Sequence, residues 1–132
     1  HSMLYVQAGS ERLPFPSWSF DAVTSINNFD HVDNVSASML EIHRVLKQGG
    51  SFGVIVELHH KPKACEPQSI PGNWASAWEK IGFKTALQKR VEYHAKYNCK
   101  IRGTNAIFEC PLFDESDETP RDSFLALLLH KI

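Results

Sequence analysis

The sequence is short of most features that would assign it quickly. Its 132 residues include 3 cysteines, Cys65, Cys99 and Cys110, an odd number, widely spaced and without a Cys-x-x-Cys pair. That argues against a disulfide framework and suits reduced thiols in a cytoplasmic protein. No apolar run approaches the roughly 20 residues that a membrane-spanning helix needs, and no signal peptide precedes the first element. An excess of one charge is also lacking. The 14 basic and 15 acidic residues leave a formal net charge of −1, which gives no electrostatic reason to expect a nucleic-acid partner. Gly-x-Gly occurs nowhere, and neither does an internal repeat or a low-complexity segment. The length suits one domain, read here as residues 3–132, with His1-Ser2 before Met3 taken as a tag remnant.

What is present centres on residues 11–56. Residues 20–26 (FDAVTSI) form a short apolar run rich in β-formers, as expected of a strand buried on both faces. Val35, Met39, Ile42 and Leu46 follow at i, i+4, i+7 and i+11, one stripe of a helix. Asp33, Asn34 and Ser36 are all competent to cap its start. Lys47 in the last turn and Gly49-Gly50 beyond it mark the end. Residues 51–58 (SFGVIVEL) are a second apolar strand. Strand, helix and strand predict a right-handed βαβ unit in a parallel sheet.

LPFPSWSFDAV at 13–23, HVDN at 31–34 and LEIHRVLKQGG at 40–50, running into an apolar strand, together resemble the central part of class I S-adenosylmethionine-dependent methyltransferases. The likeness is to the small-molecule group called type 11. It is close over residues 4–60 and loose over 73–132. The resemblance implies an α/β fold, a Rossmann-like sheet in which a parallel βαβ unit is followed by antiparallel C-terminal strands. It also implies a glycine-rich turn and an acidic residue, holding the cofactor's methionine end and ribose, ahead of Leu4. The chain therefore reads as the C-terminal half of one truncated domain, with the N-terminal cofactor-loop half missing. The implied activity is methyl transfer from S-adenosyl-L-methionine to a small-molecule acceptor. The chain alone is expected to bind the cofactor weakly and not to turn over. The alternative is a non-catalytic, dimeric or partner-binding module derived from such an enzyme.

Carried over position by position, the resemblance puts Glu11 at a commonly acidic site and Leu13 and Phe15 in a proline-stiffened loop beside the adenine. Asn27 and His31 then lie against the methionine moiety and the sulfonium. Gly9 stands where many relatives carry an acidic residue for the adenine amine, a contact glycine cannot make by side chain. Loops at the carboxyl ends of parallel strands are where ligands sit, and a neutral His31 there is a candidate general base. It is equally placed to cap or pack the helix start. His59 and His60 end the second strand on the acceptor side, and Trp74 is a further candidate for that pocket, although Trp74 and Trp78 also read as core anchors. His59, His60, Cys65 and Glu66 are metal ligands by type, but their spacing matches no known zinc pattern, and no metal is assigned.

The remaining chain is read as follows. Residues 4–8 (LYVQA) are an edge strand, and Trp18 caps the core. Residues 61–72, with three prolines and a glycine, are an irregular loop. Residues 73–81 are a helix with Asn73 as cap and Gly82 as stop. Strands follow at 83–94 and 105–112, then an acidic loop at 113–122. Residues 124–132 favour a helix by propensity, but the family ends in an antiparallel strand, and strand is chosen. Without its usual neighbour, strand 20–26 becomes an apolar edge, which invites another chain. A homodimer through that edge is expected, with residues 4–8 exchangeable between copies.

Overall fold

A computed structural model describes residues 2–58, 61–93, 99–101 and 123–132. Its elements are β1 (Phe20–Ile26), α1 (Val35–Val45), β2 (Leu46–Leu58), α2 (Ala75–Lys80), β3 (Phe83–Tyr93), β4 (Cys99–Ile101) and β5 (Ser123–Lys131). They form one sheet in the order β1-β2-β5-β3-β4. β1 and β2 are parallel, with Val23 beside Phe52 and Ile26 beside Ile55. β5 runs antiparallel to β2, and β3 antiparallel to β5. The expected parallel βαβ unit followed by antiparallel strands is the architecture found.

Of the possible α1 caps, Asn34 does the work: its Oδ1 accepts from the Ala37 N–H at 3.0 Å. The helix stops at Val45, and Leu46 turns extended while remaining 0% exposed. The stop is enforced from the far end of the chain. Lys131 Nζ donates to the carbonyls of His43 at 2.7 Å and Leu46 at 2.8 Å, placing a cation at the helix C-terminus. Gly50 then passes so close to its neighbours that a Cβ would lie 2.8 Å from the Lys47 carbonyl oxygen.

β5 shows why propensity lost. Leu125, Leu127 and Leu129 are buried, while Phe124, Ala126 and Leu128 alternate with them on the other face. A two-residue period with a strand on each side outweighs leucine's preference for a helix. The inner face packs with both helices around Trp78. That ring is 0% exposed and meets Phe29, Phe52, Trp74 and Phe83 at centroid distances of 4.8 to 5.7 Å. No described helix covers the opposite face, where Ile26, Ile55 and Leu87 are 71%, 40% and 45% exposed.

Some expectations are corrected. Residues 4–8 form no strand; Leu4 is 94% and Tyr5 85% exposed. A strand needs an edge to pair with, and this segment lies along none. Trp18 does not cap the core but is 66% exposed, turned outward by a left-handed backbone at φ 60. The 73–81 helix shortens to Ala75–Lys80, with no side-chain cap. Residues 105–112 and 113–122 lie outside the described residues. No described helix is long and apolar enough to cross a membrane.

Candidate ligand site at the carboxyl end of the first strand

The site is built where β1 gives way to α1. Asn27 leaves the strand with φ 53, and its N–H bonds the Ile55 carbonyl at 2.8 Å. Asn and Asp tolerate this left-handed backbone better than most residues. The turn swings the next residues across the top of the sheet. Phe29, in the 3-10 turn Phe29–His31, drops into the core against Trp74 at 5.0 Å. Asn28 and His31 stay exposed above it.

The proline loop forms the other wall, tied down by one charged pair on α1. Arg44 donates to the carbonyls of Phe15 at 2.8 Å and Leu13 at 3.1 Å. It also pairs with both Glu41 oxygens, at 2.7 and 2.9 Å. Glu41 in turn accepts the Leu13 N–H at 2.7 Å. The Arg44 hydrogen bonds, aided by that amide, hold the Glu41 carboxyl down at about 2 against its ordinary value of 4.5. Leu13 and Phe15 are thus positioned by main-chain bonds, with the Phe15 ring edge-on to Phe20 at 5.0 Å.

Two cavities lie between these walls. One, of about 390 Å³, is lined by residues 8–11, Leu13, Asn28 and residues 31–33. The other, of about 350 Å³, runs from Ser10, Leu13 and Phe15 along β1 to Phe29, Ile42 and Val45. They share Ser10, Leu13 and Asn28.

The candidate residues fall in different places. Leu13 lines both cavities, Phe15 the apolar one, and His31 and Glu11 the polar one. The Glu11 carboxylate is engaged by the Asn34 N–H at 2.5 Å. Asn27 lines neither, whereas Asn28 lines both. Trp74 is 4% exposed inside the core. His59 and His60 lie outside the described residues. Nothing local in the sequence separates Asn27 from Asn28; the left-handed φ does. Also hidden from sequence is the loop after β2, which closes onto this end. Gln68 N–H bonds the Asp30 carbonyl at 3.3 Å, Gln68 Nε2 bonds the Asp33 carbonyl at 2.9 Å, and His31 Nδ1 lies 2.9 Å from the Cys65 carbonyl.

An open α/β sheet with cavities at the carboxyl end of a parallel strand defines a Rossmann-like fold of the methyltransferase kind. Residues 1–54 match the family model described as "Methyltransferase domain". Over that segment the chain is similar to methyltransferases. It is 45% identical over 51 residues to the ubiquinone/menaquinone biosynthesis C-methyltransferase UbiE of Xanthomonas oryzae, covering 39% of this chain and 20% of that protein. It is 46% identical over 50 residues to sterol 24-C-methyltransferase ERG6B of Gibberella zeae, covering 38% of this chain and 13% of that one. The chain thus matches about a fifth or less of these relatives' lengths. Among solved structures, a SAM-dependent methyltransferase of Thermotoga maritima superposes with a TM-score of 0.58 at 17% identity, over 96% of this chain and 63% of that one. This last likeness concerns the fold alone.

Proposed function

We propose that this chain forms the adenine and acceptor side of a methyltransferase that moves a methyl group from S-adenosylmethionine to a small molecule. The supporting observation is the pair of adjoining cavities at the carboxyl end of β1. The apolar slot between Leu13, Phe15 and Phe20 suits an adenine ring. Asn28 lines both cavities and His31 the polar one, and this segment, with Asn27, is the one that the resemblance assigns to the methionine end. The donor set fits only in part: Glu11 is engaged by Asn34, and no Gly-x-Gly turn exists within these residues to take the methionine end. The bound cofactor supplies an activated methyl group, and transfer is an in-line displacement that depends on placement. His31 accepts the acceptor's proton, and Trp74 acts by holding Phe29 beneath Asn28; His59 and His60, the other candidates for the acceptor, lie outside the described residues. With half the donor site, the chain binds cofactor weakly and does not turn over alone. The two relatives' names differ, one referring to ubiquinone/menaquinone biosynthesis and the other to a sterol, so no acceptor is assigned. The thiol content favours a cytoplasmic location.

An amide NMR titration with millimolar S-adenosylmethionine tests this. Shifts confined to residues 8–15 and 27–33 are expected. Shifts elsewhere, or none, overturn the placement, and micromolar affinity overturns the half-site.

A second reading, a non-catalytic homodimer, is favoured by one observation. Among the described residues β1 pairs on one side only, and the sheet face that no described helix covers continues from it through Ile26 and Ile55. Sedimentation is expected to show a dimer that Thr24→Lys converts to monomer. A stable wild-type monomer at micromolar concentration refutes it.

A further inference from the structure

Three ligand-type atoms converge where the loop after β2 crosses the 3-10 turn. A carboxylate oxygen of Asp30, a ring nitrogen of His31 and a carboxylate oxygen of Glu66 all lie within 4.8 Å of one another. The scaffold beneath them is braced. Lys63 and Glu66 exchange main-chain hydrogen bonds of 2.9 and 3.1 Å, making the turn that presents Glu66. The Gln68 contacts to Asp30 and Asp33 fasten that turn to the 3-10 segment.

The orientation of His31 is informative. Its Nδ1 is 2.9 Å from the Cys65 carbonyl oxygen. A carbonyl only accepts, so Nδ1 carries the hydrogen. The other nitrogen, Nε2, faces the Asp30 carboxylate at 3.7 Å. With Nδ1 donating to a carbonyl, Nε2 is the ring position left to face the Asp30 carboxylate, where both could hold one cation. A histidine whose outer N–H is held by a backbone carbonyl while its inner nitrogen faces other ligands has the arrangement that second-shell bonds impose on metal-bound histidines.

We propose that Asp30, His31 and Glu66 bind one divalent first-row transition cation of the zinc type. One imidazole with two carboxylates suits such an ion, whereas magnesium and calcium prefer all-oxygen sets. Three protein ligands leave a coordination position for water or another oxygen ligand. His31 also lines the 390 Å³ cavity, so that position is reachable. Lys63 Nζ, 3.6 Å from Glu66 Oε2, competes for the same carboxylate. The inference does not rest on methyl transfer. A metal on Nε2 occupies the lone pair that would take a proton, so the proton-accepting role of His31 belongs to the metal-free chain and is lost when the ion binds.

The test is calorimetric titration of the full chain with Zn²⁺, paired with the visible absorption of Co²⁺. One ion per chain is expected. His31→Ala and Glu66→Gln should each weaken binding at least about tenfold, the smallest loss typical even of outer-shell partners. Lys63→Ala should tighten it, and the double variant His59→Ala/His60→Ala should leave it unchanged. Far-UV circular dichroism of each variant checks that it folds, and His31→Gln serves if His31→Ala does not. Absence of zinc binding overturns the proposal. So does binding that survives both His31→Ala and Glu66→Gln, or that is lost with the His59/His60 pair.

Discussion

The inner face of the sheet and its β1 margin are made of similar residues under opposite conditions. Around Trp78 the inner-face residues Phe52, Val54, Val56, Phe83, Leu125, Leu127 and Leu129 are all buried. At β1 the neighbours run out: Ile26 is 71% exposed although its partner Ile55 sits in the same sheet. Apolar area removed from water is what stabilises a fold. The two regions should therefore respond very differently to the same kind of substitution. Stability belongs to the inner face, and the margin contributes little to it.

The largest test of that contrast is Trp78→Ala. Emptying a fully buried aromatic site should cost about 3–5 kcal/mol, read as a lowered denaturant midpoint. A loss under about 1 kcal/mol would show that the ring cluster is not the centre of stability. Lys131→Met comes next. It removes the donor that satisfies the His43 and Leu46 carbonyls, and leaving such groups unpaired costs about 1–3 kcal/mol. Gly82→Ala sharpens the helix-to-strand corner. Gly82 has φ +106, and a Cβ there would sit 3.0 Å from His43 Nε2. About 1–2 kcal/mol is expected from the backbone alone.

Acid should separate two contributions on α1. Burial, and secondarily the Lys131 charge, lower the His43 pKa below 6.5. Its contribution is present above 6.5 and is lost as pH falls through the lower folded value. Glu41, held at about 2 by Arg44, contributes above its ordinary 4.5 and loses that contribution as pH falls toward 2. A pH series of unfolding midpoints should lose its upper step in His43→Gln and its lower step in Glu41→Gln. If Glu41→Gln leaves the lower step in place, the Glu41–Arg44 pair does not hold the proline loop. The smallest effect belongs to the margin. Ile26→Ser should change monomer stability by no more than about 0.5 kcal/mol.

Much of the fold was legible in the residues. The stripe from Val35 to Ile42, the apolar runs of β1 and β2, and the glycines at 49–50 are local patterns that act through neighbouring turns. β5 was legible only with help from the family likeness, because its leucines satisfy helix and strand equally until strands flank them. Residues 4–8 misled for the converse reason: strand-forming residues do not make a strand without an edge. Trp18 misled because burial was inferred from residue type, while a left-handed φ decided where the ring points.

The sequence by itself determined the βαβ unit, its order and the likeness to a methyltransferase domain over residues 1–54, since these rest on periodicity and short spacings. Only the tertiary structure decided which face is bare, which asparagine lines the cavities, and that Glu66 meets Asp30 and His31 across a closed loop. Those facts depend on contacts between residues far apart in the chain, and no local pattern of side chains encodes a distance that the folded core alone sets.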